Sequence, residues 1–325
     1  MAGRKTVLCE MAFWEKFSEC FSASNNFPDI QSLSQLRVWT DLFFFLCRSK
    51  VLFNCNTDAF IQRAQNDERL KYLWKKSTSG ESDIQFSGVF SEMSKMEDFP
   101  FVVLFKGENS VVNAKGIGVI DIKPTDLSNL DFLFSDCGCA VRDGEEWDWE
   151  EIGKKLGERC SNSMIIVDNY VFKHERDNLY RLLNVLLPQN SSIPYQITVF
   201  YIEGHETNEQ NLRSYISKAR PKLKVELEFV KTGKDACNGF KTDFHDRTII
   251  TNNYWIGSGA GFDLLKKEYL HYKAGKSTSV SIVFPYFCGE RISWADSAYE
   301  NLITDAKESL KRAKKSSNNR MLIGH

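Results

Sequence analysis

The chain has 325 residues, a formal net charge of −1 at pH 7, 42% hydrophobic residues and 13% aromatic residues. At about 150 residues per domain this length predicts two domains with ample cores, and the balanced charge excludes a protein that is basic over its whole surface. The longest apolar run, residues 42–47, is far shorter than the roughly 20 residues that span a bilayer, so we expect no transmembrane helix.

The cysteines and the N-terminal residues indicate the cellular compartment of the protein. Arg4 and Lys5 precede only a short apolar stretch, which does not resemble a secretory signal peptide. The nine cysteines are an odd number at irregular spacing, which is typical of reduced thiols in a cytoplasm. Cys137 and Cys139 stand two apart, but no second pair accompanies them as a zinc site would require. We therefore predict a cytoplasmic protein that uses no metal and no other cofactor.

The N-terminal half predicts helices followed by strands. Apolar residues at helical spacing mark three helices, around Trp14 to Phe21, Leu36 to Leu46 and Phe60 to Leu73. Short aromatic or β-branched segments then predict strands at residues 86–90, 101–105, 116–122 and 132–134. Because the aromatic residues follow the apolar period, we interpret them as core and not as a platform for stacking bases. Residues 1–145 are thus predicted to form an α+β domain.

The distribution of histidines limits the chemistry of this half. All five histidines lie at position 174 or later, which excludes a histidine nucleophile, a histidine metal site or a Ser-His-Asp triad in residues 1–173. What remains is carboxylate and lysine chemistry, for which Asp121 and Lys123 are the candidates. Restriction-type nucleases place an acid and a lysine in this way beside magnesium, although the pattern is common. An N-terminal metal nuclease is one alternative function.

Two charged runs differ from the mean composition. Residues 136–151 contain seven acids and one arginine, and we interpret them as the joint between domains, leading into a helix near Glu146. Acids at a helix N-terminus also favour the helix dipole, so a solvated helix start explains them as well. Residues 303–325 contain six basic and two acidic residues. This basic tail predicts either a contact with a membrane or nucleic acid, or a frayed helix end.

The C-terminal half alternates strands and helices. Strands are predicted at residues 164–167, 197–202 and 223–230, with helices at 179–186 and 210–219 between them. This order implies parallel pairing with right-handed crossovers. Further strands at His245, 254–256 and 280–284 complete the predicted sheet. A last helix over residues 294–315 is expected to pack across this sheet or to reach a partner.

Residues 244–263, FHDRTIITNNYWIGSGAGFD, are the segment that suggests phosphate chemistry. Side chains two apart on a strand share a face, so His245 and Arg247 are predicted to meet a bound phosphate together. Asn252 follows five residues after Arg247. The glycines around Ser258, at positions 257 and 259, are expected to bring bare backbone N–H groups to the same anion.

This spacing resembles the signature of the phospholipase D superfamily, in which His, one residue, Lys, four residues and Asp are followed by Gly-Ser. His245 and Ser258 match, whereas Arg247 stands in the lysine position and Asn252 in the aspartate position. Arginine keeps a fixed charge and can bind phosphate bidentately, but asparagine lacks the carboxylate that supports acid-base work. The resemblance implies that phosphate binding is kept and that the support for catalysis is weakened.

Residues 160–290 are similar to the phospholipase D-like C-terminal domain of MIT-domain proteins. The matching residues are Met164 to Asp168 with Tyr170, His245 to Arg247, Trp255, Gly259, Gly261 and Asp263. The resemblance implies a mixed sheet flanked by helices over residues 146–325. It also implies a dimerising domain that binds anionic phosphate groups such as phosphoinositide head groups and is not generally catalytic. Nothing N-terminal to it in this sequence looks like the three-helix MIT domain, so we do not expect the eukaryotic sorting role to carry over.

Two further groups of polar residues have simpler explanations. Asp168 and Tyr170 lie at the carboxyl end of a strand, where ligands of open sheets collect, and a capping role is the alternative. His174 and Arg176 repeat the His-x-Arg order at a predicted helix start, where residues two apart point away from each other. We therefore assign phosphate binding to His245, Arg247, Ser258, Gly259, Asp168 and Tyr170, and do not count His174 as a second motif.

Three functions follow from these patterns. The first is a module that recognises phosphate on an anionic lipid or nucleic acid, fused to an N-terminal effector or interaction domain. Its placement in a bacterial defence or signalling system rests on domain combination alone. The second is a metal-independent phosphodiesterase, a nuclease or phospholipase, with His245 as nucleophile and Arg247 and Asn252 as further catalytic residues. Because one chain supplies one motif, that enzyme requires a homodimer. The third is the N-terminal metal nuclease.

Overall fold

The chain forms two compact units, Met1–Phe134 and Ser135–His325, in a computed structural model. The structure describes residues 6–23, 30–86, 101–104, 120–122, 131–134, 137–156, 161–168, 176–191, 193–201, 207–232, 247–259, 262, 264–268, 271–288 and 295–323. The boundary between the units falls shortly before the predicted one at residue 145. Within these described residues, no helix is both long enough and apolar enough to cross a membrane.

The N-terminal unit contains a five-stranded sheet with helices between its strands. The strands are β1 (Thr6–Cys9), β2 (Lys50–Phe53), β3 (Asp83–Phe86), β4 (Phe101–Leu104) and β5 (Ile120–Ile122). The helices are α1 (Met11–Ala23), α2 (Ile30–Arg48), α3 (Thr57–Ala64) and α4 (Glu68–Thr78), with a 3₁₀ helix at Asp131–Phe134. The strand order is β3-β2-β1-β4-β5, and every neighbouring pair is parallel.

This parallel sheet corrects the α+β prediction, because the N-terminal unit is α/β. The strands β1 and β2 were not predicted, and residues 132–134, predicted as a strand, lie in the 3₁₀ helix. The physical reason is burial on both faces: Val7, Leu8 and Cys9 are all buried. A strand of this kind is a short, continuous apolar run without a period of two, which sequence patterns do not separate from a helix segment.

Most of the buried aromatic residues of this unit lie together in its core, as predicted, whereas Phe44 and Tyr72 are exposed. The Phe53 ring lies 4.9 Å from Phe60 and 6.2 Å from Trp14, measured between ring centroids, and all three residues are buried. Asp67 caps α4 by accepting hydrogen bonds from the backbone N–H groups of Arg69 and Leu70. The same carboxylate accepts one from the Trp14 indole N–H at 2.9 Å, so the cap also holds α1.

The C-terminal unit is built on a larger, mixed sheet. Its strands are β6 (Cys139–Val141), β7 (Ser163–Asp168), β8 (Tyr195–Tyr201), β9 (Val225–Lys231), β10 (Arg247–Thr251), β11 (Trp255–Ser258), β12 (Leu265–Glu268), β13 (His271–Ala274) and β14 (Thr278–Val283). Its helices are α5 (Glu150–Leu156), α6 (Arg176–Leu186), α7 (Thr207–Ala219), α8 (Pro285–Cys288) and α9 (Ala295–Arg312). Seven strands pair in the order β6-β14-β11-β10-β7-β8-β9, while β12 and β13 form a separate hairpin.

The direction of the strands changes at β10. The strands β7, β8 and β9 are parallel, as the β-α-β-α-β pattern predicted, whereas β10, β11, β14 and β6 pair antiparallel. The prediction of a mixed sheet with helices is confirmed at this level. The helix α9 covers one face, where Tyr299 and Leu302 join Ile165 and Trp255 in one buried cluster. The last predicted helix therefore packs across the sheet.

The basic tail after α9 is part of the fold. The Asn319 amide donates hydrogen bonds to the Met164 carbonyl at 3.0 Å and to Thr198 Oγ1 at 3.1 Å. The Arg320 guanidinium donates to the Asn162 carbonyl at 2.8 Å, and Leu322 is buried. The prediction of a frayed helix end is wrong for this segment, because its polar groups satisfy backbone carbonyls of the sheet.

Candidate phosphate-binding site

Three of the residues assigned to phosphate binding lie in one row across the sheet. Arg247 is the register partner of Asp168 in the antiparallel pair β10–β7. On the other side of β10, the pairing of Thr248 with Gly257 places Ser258 beside Arg247. Register partners of neighbouring strands have their side chains on the same face, a few ångströms apart. The sheet therefore brings Asp168, Arg247 and Ser258 together on one face.

The row lies at the carboxyl ends of the parallel strands. Asp168 is the last residue of β7, and the pairing of Val167 with Phe200 places Tyr201, the last residue of β8, beside it. Tyr201 in turn pairs with Lys231 at the end of β9. Ligands of open α/β sheets collect outside these carboxyl ends, at the point where strand order or direction changes. Here that point lies between β7 and β10.

Tyr201 and Lys231 were missed by the sequence analysis, although a signal for them was present. Tyr201 is the last but one residue of the predicted strand 197–202, and Lys231 directly follows the predicted strand 223–230. Their position in the row depends on the register between strands about 30 residues apart, and the sequence pattern does not contain this register. Lys231 is exposed and adds a positive charge to the row.

Burial separates the roles of the three central residues. Asp168 is 3% exposed and Ser258 is 5% exposed, whereas Arg247 is half-buried. A buried carboxylate requires a charged or hydrogen-bonding neighbour, and the register places Arg247 beside Asp168 on the same face of the sheet. Of these three residues, Arg247 is the one that is partly exposed to solvent. The arrangement suits an oriented guanidinium at the rim of the sheet.

Several predicted site residues lie outside the described residues. His245 and Asp246 directly precede β10, and Tyr170 follows two residues after the end of β7. Gly261 and Asp263 also lie outside the described part of the chain. Their assignment to the site stays a prediction from the motif and from their positions in the sequence.

Asn252 does not lie with Arg247. It follows the far end of β10, at roughly 3.3 Å per residue about 16 Å away along the strand. Its Oδ1 accepts hydrogen bonds from the backbone N–H groups of Asn162 at 2.9 Å and Ser163 at 3.4 Å, at the start of β7. Asn252 is buried, and these bonds tie the end of β10 to the start of β7. The structure thus gives Asn252 a structural role, whereas the motif had placed it among the catalytic residues with His245 and Arg247.

The glycines around Ser258 do not form the predicted anion cradle. Gly257 lies inside β11, where it pairs with Thr248 on one side and Ser281 on the other. The Gly259 N–H donates to the Ser279 carbonyl at 3.3 Å. A Cβ at Gly259 would lie 3.3 Å from Thr278 Oγ1, so this glycine permits a close approach of β14. Of this segment, the Ser258 side chain is what the structure places in the row.

The N-terminal nuclease candidates are only partly described. Asp121 is the middle residue of β5 and pairs with Val103, while Lys123 lies outside the described residues. No group of three or more His, Cys, Asp or Glu side chains in the described part of the chain is arranged to hold a metal ion. In the C-terminal unit, burial raises the pKa of the Cys139 thiol, which disfavours the thiolate that binds metals.

Comparison with known proteins does not identify a family for this chain. No protein-family model matches the sequence, and a search of curated proteins finds no match. The resemblance to the phospholipase D superfamily therefore rests on the quoted residues alone.

Proposed function

We propose that the C-terminal unit recognises a phosphate group, on an anionic lipid head group or on nucleic acid, with Arg247 as its anchor. The N-terminal unit then serves as an effector or interaction domain. We place the protein in a bacterial defence or signalling system on the combination of its two domains alone. The observation that supports the proposal is the row formed by Asp168, Arg247 and Ser258 at the carboxyl ends of the parallel strands.

The chemistry of the row fits a phosphate. A guanidinium has five N–H donors in a planar fork, so a contact with one carboxylate leaves donors that match two phosphate oxygens. Asp168 on one side orients the guanidinium, and the Ser258 hydroxyl on the other side can donate to a third oxygen. Lys231, further along the row, adds attraction at longer range. His245 stands two residues before Arg247 in the sequence, a spacing that predicts the same face for both side chains if the strand extends that far.

Binding measurements on the full chain test this proposal. We would titrate the protein with vesicles that contain phosphorylated phosphoinositides, with neutral vesicles and with labelled oligonucleotides, which separates the two sources of phosphate. Arg247→Gln is expected to weaken binding of the phosphate ligand by about tenfold or more, because charge-assisted hydrogen bonds are removed. Arg312→Gln, which removes an exposed arginine at the end of α9, is the matched control. Equal affinity of Arg247→Gln and wild type would overturn the proposal.

The second candidate is the dimeric, metal-independent phosphodiesterase with His245 as nucleophile. Asp168 is the observation in its favour, because this carboxylate lies in the row beside Arg247, where Asn252 does not. We would assay cleavage of DNA, RNA, cyclic nucleotides and phospholipids in EDTA, with His245→Ala and Asp168→Asn. Cleavage that both substitutions abolish supports this enzyme, which would act as a homodimer. Phosphate binding without cleavage supports the recognition module.

A further inference from the structure

The N-terminal unit exposes aromatic rings on two neighbouring helices. Phe44 on α2 is 41% exposed and Tyr72 on α4 is 42% exposed, and they are two of the three large hydrophobic residues that are exposed in the described part of the chain. Phe43 joins them, because its ring centroid lies 6.0 Å from that of Phe44 and 5.9 Å from that of Tyr72. The three rings form one aromatic patch on the surface.

The rings of Phe44 and Tyr72 face solvent because the opposite faces of their helices are buried in the core. On α2, Arg37 and Arg48 lie seven residues before and four residues after Phe44, so all three share one face of the helix. The opposite face of α2 packs into the unit through Val38, Leu42, Phe45 and Leu46. On α4, Leu70 and Leu73 are buried while Tyr72 points to solvent. Neither helix can turn its exposed ring inward without exposing its own core residues.

Basic residues surround the aromatic patch. The Lys76 ammonium lies 5.6 Å from the centroid of the Tyr72 ring. Lys75 is exposed next to it, and Arg37 and Arg48 are exposed on α2. Lys71 and Lys76 pair with Glu68 and Glu81, whereas no ion pair to Arg37, Arg48 or Lys75 is found among the described residues. We call Arg37, Phe44, Arg48, Tyr72 and Lys75 the α2–α4 surface.

We propose that the α2–α4 surface binds single-stranded nucleic acid. Every base has a π face that stacks on Phe44 or Tyr72, and the phosphates between the bases meet Arg37, Arg48 and Lys75. On both helices, exposed cations lie on the same face as the exposed ring, so one strand can contact both with its bases and its phosphates. The site belongs to the N-terminal unit and does not depend on the proposed role of Arg247.

Fluorescence anisotropy of the full chain with labelled oligothymidylate and oligouridylate tests this site. We expect binding that weakens with added salt, because phosphate contacts release counterions. The double variant Phe44→Leu/Tyr72→Leu keeps the apolar volume and removes the rings, so its affinity should fall by about tenfold or more. Arg48→Gln/Lys75→Gln should reduce the log–log slope of affinity against salt by about 0.7 units for each phosphate that the variant no longer neutralises.

Two exposed residues of the C-terminal unit provide control variants. Ile323→Ala, at the third exposed large hydrophobic residue, and Lys222→Gln, at an exposed lysine of the C-terminal unit, should bind like the wild type. In the Arg247→Gln background, Phe44→Leu/Tyr72→Leu should still lower the affinity by the same factor, which separates this site from the proposed phosphate site. Since Phe44 and Tyr72 are exposed, the variants should melt at the wild-type temperature. The proposal is overturned if the wild type binds neither strand at low salt, or if the Leu variant binds equally well. Binding of anionic vesicles alone, abolished in the same variants, would also overturn it.

Discussion

The two sheets of this protein position polar residues in different ways. Among the described strands of the N-terminal unit all pairings are parallel, and β1 and β2 contribute buried apolar side chains to a core. In the C-terminal unit the parallel strands β7 to β9 meet the antiparallel strand β10. That junction places Arg247 opposite Asp168, although 78 residues of sequence separate them. The change of strand direction, more than the motif alone, assembles the candidate site.

The largest expected effect comes from breaking one core and leaving the other intact. Phe53→Ala removes a buried ring that contacts Trp14 and Phe60 and should destabilise the N-terminal unit by about 3–5 kcal/mol. If the units fold separately, calorimetry should show that one transition moves to lower temperature while the transition of the C-terminal unit stays. Ile323→Ala, at an exposed position, should move neither. A shift of both transitions by the same amount would show that the two sheets unfold as one.

The next prediction separates structure from function within the motif. Asn252→Ala leaves the backbone N–H groups of Asn162 and Ser163 without the Oδ1 acceptor, which should cost about 1–3 kcal/mol of unfolding free energy. The phosphate affinity of the folded protein should not change, because Asn252 lies at the far end of β10 from Arg247. Denaturant unfolding and ligand titration measure the two effects, with Asn190→Ala at an exposed loop position as the control. A loss of phosphate affinity without a loss of stability would show that Asn252 contributes to phosphate binding.

A third prediction concerns the edge of the larger sheet. The strand β9 ends the sheet order, and its Leu227 carbonyl accepts from the Arg213 guanidinium while its Phe229 carbonyl accepts from Lys315 Nζ at 2.8 Å. Charged side chains on an edge strand block pairing with another copy. Arg213→Ala/Lys315→Ala should therefore increase self-association, measured by sedimentation velocity over a concentration series.

The matched control for the edge is Lys218→Ala/Lys311→Ala. These lysines are exposed on α7 and α9, the helix that carries Arg213 and the helix that precedes Lys315. The control removes the same number of charges without touching the β9 carbonyls. Equal association in both double variants would mean that net charge, and not the edge contacts, limits pairing.

The smallest effect is expected from the Cys47 thiol in the N-terminal unit. Burial raises the pKa of this thiol to about 11, against an ordinary value near 9. The unfolded chain loses this proton above pH 9 while the folded chain keeps it, so the contribution of Cys47 to stability falls between pH 9 and pH 11. Alkylation followed by mass spectrometry should show a labelling rate at Cys47 that is still rising at pH 10. A rate that levels off near pH 9 would contradict the burial of the thiol.

Local patterns predicted a substantial part of this protein. The order β7-α6-β8-α7-β9, the core role of the aromatic residues and the packing helix α9 all follow from periods of about 3.6 or 2 residues, which depend on near neighbours in the chain. The same periodicity identified Arg247 as a strand residue with a defined face, since the faces of a strand are set by alternation. These features need no information about distant residues.

Tertiary structure decided the rest, because it depends on which distant segments pair. The strands β1 and β2 have no period that distinguishes them, and only their parallel partners define them. Register placed Asp168 and Ser258 beside Arg247, and it carried Asn252 to the opposite end of β10. The Gly259 N–H donates a hydrogen bond to the Ser279 carbonyl of a neighbouring strand. The side chain of Asn319, in the basic tail, is buried and donates to the Met164 carbonyl of the sheet. Backbone groups must find partners on folding, and that requirement is met over long distances in sequence.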